Sequence, residues 1–136
     1  MDNYPERCLR GLRKDDHVTP EGIVNSPAFY PDFRVSKQHP DGAYETSINW
    51  EDDNLAVAFT LQKIDQSLYG IASLQRAVID AEAAANNPPI VTYERKPEVD
   101  NKYHGNIIFS GTASRQLIKM IASIFAIRAS LIRRPS

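Results

Sequence analysis

The sequence predicts an α+β domain: a mainly antiparallel sheet of four to five strands packed against two helices in a two-layer sandwich. Three observations carry this expectation. Tyr44, Thr46, Ile48 and Trp50 alternate with Glu45, Ser47, Asn49 and Glu51, the period-two signature of a strand with one buried face. Leu74, Ala77, Val78, Ala81 and Ala85 recur at helical spacing, as do the apolar residues between 112 and 133. Residues 90–95 and 103–110 are rich in the β-branched and aromatic types that suit a pleated surface.

Along the chain, residues 1–42 hold five prolines, Pro5, Pro20, Pro27, Pro31 and Pro40, and read as an arm packed on a core of residues 43–136. Within this arm residues 7–12 form a candidate strand. Thr19-Pro20-Glu21 has the composition of a helix start that Gly22 weakens, and residues 28–33 offer three aromatics on a proline-extended, packed loop. After the strand at 44–50, Asp52-Asp53-Asn54 supplies turn chemistry. Leu55, Val57, Phe59 and Leu61 then alternate with Ala56, Ala58, Thr60 and Gln62, so a hairpin over 43–62 is expected, its Trp50 face on the helices. A helix follows, with Ser67 or Ser73 as its cap and Asn86-Asn87-Pro88-Pro89 as its stop. Strands at 90–95 and 103–110, and a long helix from 112 to 133, complete a ββα-ββα order within one domain, 1–136.

The chain of 136 residues carries a formal net charge of −1, a mean hydropathy of −0.41 and 42% hydrophobic residues, the composition of an ordinary globular core. A single cysteine, Cys8, excludes an internal disulfide and a multi-thiolate zinc site. The opening residues lack the apolar core of a secretory signal, so the cytoplasm is the expected compartment. Charge is unevenly placed: residues 101–136 hold six bases and no acid, whereas residues 1–100 hold ten bases and seventeen acids. Such a split fits a basic helix docked on an acidic body, or a contact with nucleic acid or a membrane surface, of which docking is preferred.

The long C-terminal helix is apolar over more than half its circumference, more than one sheet face needs. It is therefore expected to sit between the sheet and either a second subunit, a protein partner or the N-terminal arm. Lys119 and Arg128 interrupt it too often for a membrane span. Arg128 projects between Ile124 and Leu131 and must either meet a carboxylate, with Glu45, Glu51 and Asp80 as candidates, or reach water along apolar surface. At the helix start, Ser110, Gly111, Thr112, Ser114 and Arg115 gather hydroxyls and a cation where free N–H groups favour an anion. The spaced glycines of a phosphate loop or a dinucleotide site are absent. Glu94-Arg95-Lys96 has an acid-x-lysine spacing seen in metal-dependent nucleases but no second acid at a convincing strand position. Asp15-Asp16-His17 and Glu51-Asp52-Asp53 read as turn chemistry. His17, His39 and His104 lack the pair spacing of a helical zinc site, and Cys8 reads as a buried small hydrophobe.

At Cys8-Leu9-Arg10-Gly11-Leu12, Ser26-Pro27-Ala28-Phe29 and Glu45-Thr46-Ser47-Ile48-Asn49-Trp50 the chain resembles the opening of small uncharacterised bacterial proteins over about fifty residues. The resemblance implies a bacterial cytosolic protein and assigns no residue a role. The expected function is a non-catalytic binding or protein-interaction module, self-associating through its C-terminal helix, with no cofactor, no metal and no catalytic residue. The alternative is a small enzyme or binder acting on a phosphorylated ligand or nucleic acid. It would use Ser110, Gly111, Thr112, Ser114 and Arg115 as an anion cradle, with Arg128 or Glu94 and Lys96 nearby.

Overall fold

The computed structural model describes residues 4–134 and is α+β, with one six-stranded antiparallel sheet and three helices. The strands are β1 (Arg7–Gly11), β2 (Tyr44–Trp50), β3 (Ile71–Gln75), β4 (Val91–Arg95), β5 (His104–Phe109) and β6 (Ser130–Ile132). The helices are α1 (Ala56–Gln62), α2 (Arg76–Ala84) and α3 (Arg115–Arg128). The strands lie in the order β4-β5-β2-β1-β3-β6. β1 is thus an interior strand, with Cys8 paired to Trp50 on one side and to Leu74 on the other.

Strand alternation divides the core between the two faces of the sheet. Cys8, Ile48, Trp50, Leu74, Val91, Ile107 and Phe109 form the larger cluster with Val78 and Ile79 of α2 and Ile118, Ile121, Ala122 and Phe125 of α3. A 3-10 turn at Ser26–Phe29 packs beside α3, bringing Phe29 edge-on to Phe125. On the opposite face Leu9, Ile71 and Tyr103 meet Ala56, with Val57, Phe59 and Leu61 of α1 packed against them. The indole of Trp50 donates to Glu94 O at 3.0 Å and meets the rings of Tyr4 and Tyr93 at steep angles, fixing β2 to β4 across β5.

Several expectations are corrected. Residues 56–62 are helical, so β2 has no hairpin partner there. Both edges of β2 are taken by β1 and β5, and Asp53 Oδ1 accepts the Leu55 N–H at 2.9 Å to start a helical turn. Leu55 consequently stands exposed. A strand, β3, precedes α2 where helix was expected. Its entry requires Gly70, at φ +105°, because a Cβ there would lie 2.4 Å from Ile132 O. The C-terminal helix stops at Arg128, and residues 130–132 pair with β3 as β6. The Thr19-Pro20-Glu21 segment is a turn closed by a bridge between Val18 and Val24. The extra strands and α1 replace the simple ββα-ββα order.

Candidate functional site

The sheet opens between β1 and β2. Their pairing ends at Leu9 with Asn49, whereas β1 remains paired to β3 as far as Gly11 and β2 to β5 as far as Tyr44. The divergence leaves a cleft of about 910 Å³, within the usual range for small-molecule sites. Its lining includes Pro27, Tyr30 and Phe33 together with Ser47, Asn49 and Thr60.

Arg10 occupies the split. On β1 it shares the face of Cys8, which points it at the Ser26–Phe29 turn rather than at solvent. Its Nε donates to Ala28 O at 2.8 Å and its Nη1 to Ser47 O at 2.9 Å, where a ladder N–H would otherwise stand. The Thr46 hydroxyl donates to Phe29 O at 3.0 Å, so two successive carbonyls of the turn are anchored from the two diverging strands. Among the described residues no carboxylate pairs with Arg10. Burial pushes its guanidinium down to about 10, and Arg13 nearby adds to the effect.

His17 lies beside it, 4% exposed. Its Nδ1 accepts the Arg13 N–H at 3.2 Å, which assigns the ring proton to Nε2. Burial, with Arg10 next, lowers its pKa to about 4, so the ring is neutral at physiological pH. Asp16 Oδ1 stands 4.0 Å from Nε2. Arg13, Lys14, Lys63 and Lys119 also line the cleft. Two of its carboxylates are committed elsewhere, Asp32 to Arg34 and Glu45 to His39 at 2.9 Å. Across the opening Asn101 Nδ2 donates to Asn49 Oδ1 at 2.8 Å, and Asn49 Nδ2 to Thr60 Oγ1 at 2.9 Å. The Thr60 hydroxyl donates in turn to Ala56 O.

The residues singled out from sequence are dispersed. Ser110 and Thr112 bond each other at 2.9 Å, beside Gly111, and Ser114 Oγ caps α3 by accepting the Leu117 N–H at 3.1 Å. Arg115 donates to Phe33 O and lies over the Phe33 ring. Arg128, thirteen residues on, is about 20 Å further along the helix axis and exposed; no ion pair holds it among the described residues. It takes the water-reaching alternative, and none of Glu45, Glu51 or Asp80 meets it. Glu94 Oε2 accepts from Asn106 Nδ2 at 2.8 Å, leaving the buried Asn106 Oδ1 without a partner among the described residues. Asp52 pairs with Arg95 and Asp53 accepts from the Tyr103 hydroxyl at 2.8 Å, so both acids brace the fold. His104 Nδ1 bonds Lys96 O at 2.9 Å. Cys8 is fully buried, and burial pushes its thiol up to about 12. No three His, Cys, Asp or Glu side chains gather as metal ligands among the described residues.

Arg10 and His17 are the groups that sequence reasoning passed over for a site. The available signal was strand parity, since a buried Cys8 places Arg10 on the buried side two residues later. Among the described residues no helix is long and apolar enough to cross a membrane. Comparison with protein-family models, with curated proteins and with solved structures finds no match.

Proposed function

We propose that this chain is a non-catalytic binding module that takes a small anionic molecule, through a phosphate or carboxylate group, in the cleft between β1 and β2. The observation that carries the reading is Arg10: a guanidinium at the sheet split, answered by two carbonyl dipoles and, among the described residues, no carboxylate. A half-buried guanidinium of this kind gains from an anion more than an exposed lysine does, and its planar fork matches the geometry of both anion types. His17 adds an Nε2–H donor that stays neutral, and Arg13 and Lys14 line the same cleft, together with the carboxylates of Asp16, Glu98 and Asp100. The non-catalytic half rests on the reactive side chains nearby. The Thr60 hydroxyl is spent on Ala56 O, Cys8 is enclosed in the core, and His17 uses Nδ1 to accept from Arg13 N–H.

The test is thermal unfolding in inorganic phosphate, pyrophosphate or citrate against chloride at matched ionic strength. The expected result is a rise in Tm with at least one of these anions, reduced in Arg13→Gln, a change in the cleft lining, and abolished in Arg10→Met. If Arg10→Met fails to fold, the Arg13→Gln and Lys14→Gln pair decides. Equal Tm in all four salts overturns the reading, and so does an anion effect that both variants leave unchanged.

A further inference from the structure

The charges that line the cleft nearly balance. Among the described residues six cations and five carboxylates do so, and a simple anion would meet repulsion there as well as attraction. Most of these charges are already answered. Asp32 pairs with Arg34 and Glu45 with His39, while Lys63 lies over the Phe59 ring and Lys119 over the rings of Tyr30 and Phe33. Asp16 stands 4.0 Å from the His17 ring. Arg10, Arg13 and Lys14 are left on one hand, Glu98 and Asp100 on the other, and among the described residues no ion pair joins the two sets.

The fold keeps these sets apart. β1 and β5 flank β2 on opposite sides. The cations come from β1 and the turn after it, the acids from residues 96–103, which connect β4 to β5. That connection is pinned beside the cleft. Glu98 and Asn101 exchange backbone hydrogen bonds at 2.9 and 3.1 Å, and Asn101 Nδ2 donates to Asn49 Oδ1 at 2.8 Å. Lys102 of the same connection is 3.7 Å from Asp53, away from these acids. His17 is an independent sign of an occupant. It is 4% exposed and lines the cleft, yet its Nε2–H makes no hydrogen bond among the described residues, whereas buried polar groups are as a rule answered.

We infer that the molecule held in the cleft is a zwitterion, its carboxylate or phosphate against Arg10 and His17 and an ammonium group several bonds away against Glu98 and Asp100. The inference rests on the anion reading above and adds the second charge. β2 sets the span: Arg10 is anchored at Ser47 and the acidic connection at Asn49, two residues or about 7 Å apart along the strand. The charges of an α-amino acid are too close together to cover that distance, whereas a molecule of dipeptide length, at about 3.3–3.6 Å per residue, covers it. A dianion would set its second charge against Glu98 and Asp100, and a polyamine would meet Arg10 with like charge.

The test compares caproate with ε-aminocaproate, which share a chain and differ in the terminal ammonium group. Their Kd values are read from backbone amide shifts of the full chain at matched ionic strength. The aminated compound is expected to bind about tenfold tighter. In the Glu98→Gln, Asp100→Asn double variant, whose two positions are exposed, the compounds should bind equally. Equal binding by the wild type, absence of binding by both included, overturns the inference, and so does an advantage of the amine that survives in the double variant. Phosphate, pyrophosphate and citrate judge the anion reading separately. A response to any of them without a gain from the amine removes the zwitterion and leaves the anion site standing.

Discussion

Acidification should weaken this fold through His17 in a way that can be separated from every other titrating group. The unfolded imidazole takes its proton near 6.5, whereas the buried ring beside Arg10 does so only at about 4. A base whose folded pKa is depressed leaves stability intact above the unfolded value. Stability is then lost as pH falls from 6.5 toward 4, where the unfolded chain binds the proton and the native chain does not. At about 1.4 kcal/mol per pH unit the interval corresponds to about 3 kcal/mol, most of it gone by about pH 4.5. Against a typical total of about 5–15 kcal/mol the loss is large. The reference is His17→Asn, whose Oδ1 can take the place of Nδ1 as acceptor for the Arg13 N–H but cannot be protonated. Urea denaturation of both proteins between about pH 7.5 and about pH 4.5 gives their difference in stability at each pH, and the carboxylates common to both cancel. The difference should move against the wild type by about 2–3 kcal/mol on the acid side. A difference that stays flat over this range would refute the depressed titration of this buried ring.

Two further substitutions probe the elements that carry the cleft. A Cβ on Gly105 would lie 2.3 Å from Trp50 Nε1 and 2.4 Å from Glu94 O, so Gly105→Ala should cost about 3 kcal/mol or more, with a shifted tryptophan emission. Ser114→Ala removes the oxygen that accepts the Leu117 N–H and should cost about 1 kcal/mol by urea denaturation, without changing the response to phosphate.

The elements legible in the sequence are those whose two sides differ. β2 alternates because Ile48 and Trp50 face the helices while Ser47 faces water, and α3 ends its sheet-facing stripe in Phe125 and Ala126. β3 failed to declare itself for the opposite reason. It is covered by α1 on one face and by the larger core on the other, so Ile71, Ala72, Ser73 and Leu74 are all buried and no alternation survives. Residues 55–62 satisfy both periods at once. Leu55, Val57, Phe59 and Leu61 fit a strand, and Ala56 with Thr60 fits a helix. The choice falls to helix because β1, some forty residues earlier in the chain, has already taken the edge of β2.

The site escaped the sequence because it is made by a departure from regular pairing. Ser110 to Arg115 has the composition of an anion cradle, yet its hydroxyls are consumed locally: Ser110 and Thr112 on each other and Ser114 on the helix it starts. Arg10 has no such local partner. Its two acceptors come from positions 28 and 47, and both depend on β1 leaving β2 after Leu9. Had the two strands remained paired, Ser47 O would have been available to the ladder and Arg10 would have lost one of the carbonyls that make its burial tolerable. The bonds of the cation therefore depend on the split, and the guanidinium in turn satisfies the Ser47 carbonyl that the split leaves outside the ladder.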